Sequence, residues 1–207
     1  MSYIKGIDIS HNNTVDFTKL DPNIKFVYCK ATQGNGFRDP KFNTYWQYLK
    51  TKDIYRGAYH FLTVNADAKS QADNFLSLDI DFSKPNVLPP MLDVEDQVPA
   101  DLNIEITKNK QGFIQLIDEW IDLVQAATKR KVVIYSYKNF FAEYLNNMAW
   151  PNNYLWLASY QKTEPGLPKG YSKWDFWQYS QYGTIDGKEI GGEFDLDYFN
   201  GTDLSKL

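Results

Sequence analysis

Asn86-Val87-Leu88-Pro89-Pro90-Met91-Leu92-Asp93-Val94-Glu95 is the stretch on which the fold turns. An apolar run enters from a Pro-rich turn and ends in two acids one residue apart, so residues 88–94 read as a short buried strand. Residues i and i+2 of a strand point to the same side, with Cα atoms about 6.5 Å apart. Asp93 and Glu95 are therefore expected to project together from a strand end, with Val94 pointing the other way. Two carboxylates held side by side on rigid backbone suit hydrolysis of a glycosidic bond. One stays protonated for the leaving oxygen; the other stays ionised against the positive charge growing on the sugar. The competing use is structural, since an acid after a strand often caps a turn or a following helix, and Asp93 or Asp96 would serve for that.

Working outward, eight apolar or β-rich runs are visible, at residues 4–9, 26–31, 56–61, 87–95, 132–136, 154–160, 175–179 and 194–198. Helical patterns separate the early ones. Residues 41–52 follow Asp39-Pro40, and residues 66–78 follow Asn65 as a helix cap. Over 110–128, Phe113, Ile117, Trp120, Val124 and Ala127 recur at helical spacing. Residues 139–147 give one more short helix. Beyond Tyr160 the pattern changes. The connection 161–174 holds Pro165, Gly166, Pro168 and Gly170, which leaves no room for a helix. Residues 180–193, with Gly183, Asp186-Gly187 and Gly191-Gly192, read as a β-hairpin connection. The expected fold is α/β: an irregular TIM-like barrel of five βα units followed by three strands lacking helices. At 207 residues it is shorter than a complete eight-unit barrel of roughly 250. With no linker, repeat or low-complexity segment, residues 1–207 are expected to form a single catalytic domain.

In such barrels the strand ends and the loops after them build the active face. Here that face would collect Asp8, Lys30, Tyr59, Asp93, Glu95, Tyr135, Trp156, Trp177 and Asp195. Each acid alone has a bland use: Asp8 could satisfy the turn Ser10-His11-Asn12-Asn13, and Asp195 or Asp197 could face solvent beside the hairpin. Taken together, carboxylates at three separate strand ends read as an acidic bowl. Aromatic residues make up 16% of the chain; part of these must be core, but so many amphipathic rings also suit sugar stacking. The net charge of −4 and the absence of a long basic block argue against nucleic acid. Cys29, alone in the chain, excludes an internal disulfide and reads as a small core residue. His11 and His60 are not at a zinc spacing, so neither a metal nor another cofactor is expected. No spanning segment or leader is visible after Met1-Ser2-Tyr3-Ile4-Lys5-Gly6. The chain is expected to be made as a soluble cytoplasmic monomer that reaches its substrate after release or by a non-classical route.

These residues resemble glycoside hydrolase family 25, the muramidases often called Chalaropsis-type lysozymes. The resemblance runs through Gly6-Ile7-Asp8-Ile9-Ser10-His11, Phe26-Val27-Tyr28-Cys29-Lys30-Ala31-Thr32 and Gly57-Ala58-Tyr59-His60-Phe61. It continues through Asp93-Val94-Glu95, Trp156-Leu157-Ala158, Trp177-Gln178-Tyr179 and Asp195-Leu196-Asp197-Tyr198-Phe199. One departure is Gln33, where the family commonly has an acid. The resemblance implies cleavage of the β-1,4 bond between N-acetylmuramic acid and N-acetylglucosamine in peptidoglycan glycan strands. It implies Glu95 as proton donor, with Asp8, Asp93 and Asp195 as the other active-site acids. The substrate's own 2-acetamido oxygen is the favoured nucleophile, with Asp93 orienting it. Tyr59, Tyr135, Trp156, Trp177 and Lys30 are the candidates for substrate contact. A chitinase-like or endo-β-N-acetylglucosaminidase barrel is the nearest alternative, and a catalytically silent sugar-binding protein on the same fold is another.

Overall fold

The computed structural model describes residues 3–52, 54–183 and 194–207. Its strands are β1 (Ile4–Ile9), β2 (Ile24–Gln33), β3 (Phe37–Arg38), β4 (Tyr55–Phe61), β5 (Met91–Asp93), β6 (Val133–Tyr137), β7 (Tyr154–Ala158), β8 (Phe176–Ser180) and β9 (Asp195–Phe199). β3 folds back antiparallel on the end of β2. The other eight close a barrel in the order β1-β2-β4-β5-β6-β7-β8-β9, with β9 pairing back onto β1. All the barrel pairings are parallel except those of β9, which runs antiparallel to β8 and β1. The start of β9 therefore lies at the same face as the ends of the other strands. That reversal brings Asp195 opposite Asp8.

The helices are α1 (Phe42–Lys50), α2 (Ala68–Leu76), α3 (Leu102–Lys108), α4 (Lys110–Thr128) and α5 (Lys138–Glu143). The first unit has only a 3-10 turn, Phe17–Lys19, between β1 and β2. Among the described residues no α-helix follows β7, β8 or β9, as the Pro- and Gly-rich connections required. Most of the expected hairpin connection at 180–193 lies outside the described residues, although β8 and β9 do pair antiparallel. α4 has the expected bounds. Asn109 caps it by accepting from Gly112 N at 3.0 Å, and Lys129 ends it in the left-handed region at φ 58°. The cap of α2 is Asp67, which accepts from Ser70 N at 2.8 Å, rather than Asn65. α3 was not expected: it buries only Ile106, so it leaves no amphipathic signature. No described helix is long and apolar enough to cross a membrane.

Strand residues alternate between two apolar layers. Ile7, Ile9, Val27, Cys29, Ala58, Leu92, Val94, Ile134, Leu155 and Leu157 pack outward against the helices. Phe26, Tyr28, Tyr59, Met91, Val133, Tyr135, Trp156, Phe176 and Phe199 fill the barrel. Trp156 stacks on Phe176 at 5.0 Å and meets the edge of Tyr28 at 4.9 Å. Two glycines make room for these rings. A Cβ on Gly6 would lie 2.3 Å from the Phe26 ring, and one on Gly57 2.2 Å from Tyr28. Many of the chain's aromatic residues are thus spent on filling the barrel.

Candidate active site

The strand expected over residues 88–94 is shorter in the structure. Pro89 and Pro90 cannot donate to the ladder, so β5 begins only at Met91, and it ends at Asp93. Val94 N still bonds Tyr135 O, but Glu95 stands in the loop beyond the strand. Asp93 and Glu95 are therefore not an i, i+2 strand pair. Asp93 points into the barrel mouth from the strand end, and Glu95 reaches the same charges from the loop above it. Gln97 pins that loop: its amide donates to Glu95 O at 3.0 Å and Leu62 O at 3.1 Å, and its Oε1 accepts from Val64 N at 2.9 Å.

Asp8, Asp93, Glu95 and Asp195 face one another closely enough to perturb each other's ionisation. Burial, sharpened by the charge of Glu95, holds Asp93 well above the usual carboxylate range, while Lys30 draws it down. Burial also raises Glu95, to about 7, with Asp195 adding to the rise and Lys30 opposing it. Asp8 is raised to about 6 by burial, against hydrogen bonds from Gln178, Asp197 and Asp195 that lower it. Lys30 is the cation of this group. Its Nζ donates to Gln33 Oε1 at 2.8 Å and lies 4.8 Å from the centre of the Phe61 ring. Tyr59 and Tyr135, each buried, sit within the field of the same four acids or most of them.

Two residues outside the candidate set, Gln178 and Asp197, complete the arrangement. Gln178 donates from Nε2 to Asp8 Oδ2 at 2.7 Å, and its Oε1 accepts from Tyr135 and from Tyr160, both at 2.8 Å. One amide thereby fixes the orientation of Asp8 and ties three strands together. Asp197 does not face solvent. It is 0% exposed, its carboxyl lies near Asp8 and the Trp156 indole, and burial, with the charge of Asp8 adding to it, pushes it well above the usual carboxylate range. In the turn Ser10-His11-Asn12-Asn13, Asn13 Oδ1 accepts from Ser10 N at 2.6 Å, and Asp39 holds His11 N at 2.9 Å.

Two of the aromatic candidates do not meet the acids as sugar platforms. Trp177 sits on the opposite face of β8 from Phe176 and Gln178. It packs in the outer layer and donates to Ser159 O at 2.8 Å. Trp156 points inward but is 0% exposed, as the floor beneath Asp197. Neither histidine joins the acids. His60 is buried on Trp120, its Nδ1 is 2.7 Å from Thr32 Oγ1, and burial lowers it to about 3. His11 Nδ1 pairs with Asp39 at 2.7 Å. Among the described residues no three His, Cys, Asp or Glu side chains are grouped to hold a metal ion.

The raised carboxylates have a consequence for stability. A carboxyl whose folded pKa lies above its unfolded value stabilises the fold fully below about pH 4, and that contribution is lost as pH rises through the folded pKa. For Asp8 the loss falls mainly between about pH 4 and 6, and for Glu95 between about pH 4.5 and 7, with a remainder of the Glu95 loss just above pH 7. His60 acts in the opposite sense below about pH 6.5, where the unfolded chain binds its proton and the folded chain does not. Between pH 6.5 and 8 the carboxylates act alone. The melting temperature is expected to fall by several degrees over that interval, since about 1 kcal/mol moves Tm by roughly 2–4 °C in a domain of this size. The slope should be shallower in Glu95→Gln; an equal slope in both proteins would mean that Glu95 is not the group titrating.

Acids from β1, the end of β5, the loop after it and the start of β9, tuned by one lysine, make a proton-donating group near neutral pH beside ionisable partners. That is the equipment of acid-catalysed glycoside cleavage. Comparison with known proteins agrees. Residues 7–188 match the family model described as glycosyl hydrolases family 25. The chain is 33% identical over 210 residues to the uncharacterized protein YegX of Escherichia coli K12, spanning 96% of this chain and 70% of that one. It is 32% identical to Lysozyme M1 of Streptomyces globisporus, over 97% of this chain and 69% of the relative. Its fold is similar to that of a family 25 lysozyme from Aspergillus fumigatus, with a TM-score of 0.85 at 26% identity, covering 99% and 98% of the two chains. The chain belongs to glycosyl hydrolase family 25 and is a glycoside hydrolase of the lysozyme, or muramidase, class.

Proposed function

We propose that this enzyme hydrolyses the β-1,4 bond between N-acetylmuramic acid and N-acetylglucosamine in bacterial peptidoglycan, with Glu95 as the general acid. The observation that carries this reading is the Glu95 carboxyl raised to about 7 next to the buried Asp93 and within reach of Lys30. A group poised near neutral pH both holds a proton and releases it readily. The names of relatives, lysozyme and N,O-diacetylmuramidase, support the same substrate.

The route we favour is substrate-assisted. Glu95 protonates the leaving oxygen while the 2-acetamido oxygen of the muramic residue closes on C1. Asp93 accepts from the acetamido N–H and stabilises the positive charge that spreads over the ring it forms. Within the protein's own charges Asp93 favours its protonated form. An N–H donor and a growing cation beside it favour the carboxylate instead, so substrate and acid complete the charge balance together. Gln178 holds Asp8 through the bond to Oδ2 and favours its ionised form, which makes Asp8 a further stabiliser of the same charge.

Digestion of purified peptidoglycan followed by borohydride reduction tests the assignment. Muramitol should appear at the new ends. Glucosaminitol would move the enzyme to the N-acetylglucosaminidase alternative, and free peptide amines without new reducing ends would remove glycosidase action altogether.

A further inference from the structure

A second cavity opens on the active face, beside the acids but chemically unlike them. It has a volume of about 410 Å³ and lies between the ends of β6 and β7 and the connection that follows β7. Tyr137, Lys138, Asn139, Ser159, Gln161 and Gly166 are among its walls, and no aspartate or glutamate lines it among the described residues. Its polar side-chain groups are an ammonium, two amides and two hydroxyls, one of which, that of Tyr137, is bonded to Asp96. Where the bowl is acidic, this cavity presents donors and a positive charge.

The two sites share structure. The Tyr137 hydroxyl donates to Asp96 Oδ2 at 2.7 Å, one residue from Glu95. Ser159 N donates to Gln178 O at 3.0 Å, and Gln178 holds Asp8. These bonds join the cavity wall to the loop that carries Glu95 and to the residue that holds Asp8. Gly166 directs the charge into it: a Cβ built there would lie 3.1 Å from Lys138 Nζ, so the ammonium rests over the bare glycine backbone. A Lys ammonium and amide N–H groups together favour a carboxylate, through charge-assisted hydrogen bonds.

We infer that this cavity receives the acidic peptide stem carried by the muramic lactyl group, with Lys138 pairing a stem carboxylate. The inference rests on the muramidase reading and extends it, from the bond that is cut to the substituent that selects the strand. It makes Lys138 a specificity residue that touches substrate away from the reacting atoms.

The test compares two substrates: peptidoglycan with intact stems, and the same glycan strands stripped of stems by an N-acetylmuramoyl-L-alanine amidase. New muramitol ends give kcat/KM on each. The wild type should prefer stemmed strands, and Lys138→Ala should lose about three- to tenfold on them alone, the scale of one partly exposed charge-assisted contact. Lys138→Glu should lose more, and Gly166→Ala should show a smaller loss of the same substrate-dependent kind. All three should match the wild type on stripped strands and in thermal unfolding. Equal losses on both substrates, or none on either, would overturn the inference and leave the cavity as a sugar site or as unused space. A wild type that releases no muramitol from either substrate would remove the muramidase reading and the stem pocket with it.

Discussion

Glu95→Gln is expected to lower kcat on peptidoglycan by about 10²–10⁴-fold, the range general acid catalysis supplies. Gln keeps the shape of the side chain and the loop contacts that Gln97 makes to the backbone of Glu95, so the fold should survive. What is lost is the proton. In the wild type the protonated fraction of Glu95 falls above about pH 7, because burial and Asp195 place its midpoint there. The alkaline limb of kcat/KM should therefore lie near that value and be absent from the residual activity of Glu95→Gln. The check is a pH–rate profile of both proteins, with circular dichroism to show that the variant is folded. Turnover of folded Glu95→Gln within a few-fold of wild type would remove Glu95 from the chemistry.

Asp93→Asn carries the second large effect, about 10²–10³-fold in kcat, the scale of losing one preorganised electrostatic stabiliser. Asp93 is buried at the end of β5, and its Oδ1 has no hydrogen-bond partner among the described residues. The amide is nearly isosteric, and the change removes an ionisable group from a buried site. Stability should hold or rise at pH 7, while the charge that faces the acetamido group disappears. The substrate dependence separates this role from a structural one. De-N-acetylated glycan lacks the group Asp93 serves, so the wild type should be slow on it and Asp93→Asn should add little further loss. A full additional loss on that substrate would place Asp93 elsewhere in the mechanism.

Much of this site was legible because it rests on strand ends. Asp8 and Asp93 lie at the far ends of apolar runs and Asp195 at the start of another, and Pro165, Gly166, Pro168 and Gly170 exclude a helix by local chemistry alone. The partners of those acids left no such trace. Gln178 binds Asp8 across 170 positions, and nothing near Gln178 marks it as the residue that orients an acid. Trp177 shows the complementary failure. In a strand buried on both faces, apolar residues occupy inward and outward positions alike, so alternation does not separate them. A shift of one residue then moves a side chain to the other face. Phe176-Trp177-Gln178 gives no sign of its parity, and the indole that reads as a sugar platform belongs to the helix-facing layer. Asp197 was misread for the same reason. Beside the Gly-rich connection it looks exposed, but β9 turns it inward onto Trp156. The late start of β5 was readable in principle, because Pro89 and Pro90 cannot donate to a ladder; its end at Asp93, which leaves Glu95 in the loop, had no such mark.

The central claim is that Glu95 and Asp93 open the muramic C1 bond with help from the substrate's own acetamido group. Proton NMR of short peptidoglycan oligomers during the first turnovers tests it most directly, because the new hemiacetal can be identified and its configuration read before mutarotation. The account predicts that the first signal belongs to the β-anomer of a muramic residue, the outcome of two successive inversions at one carbon. An α-anomer appearing first, or a new hemiacetal on glucosamine, would contradict it.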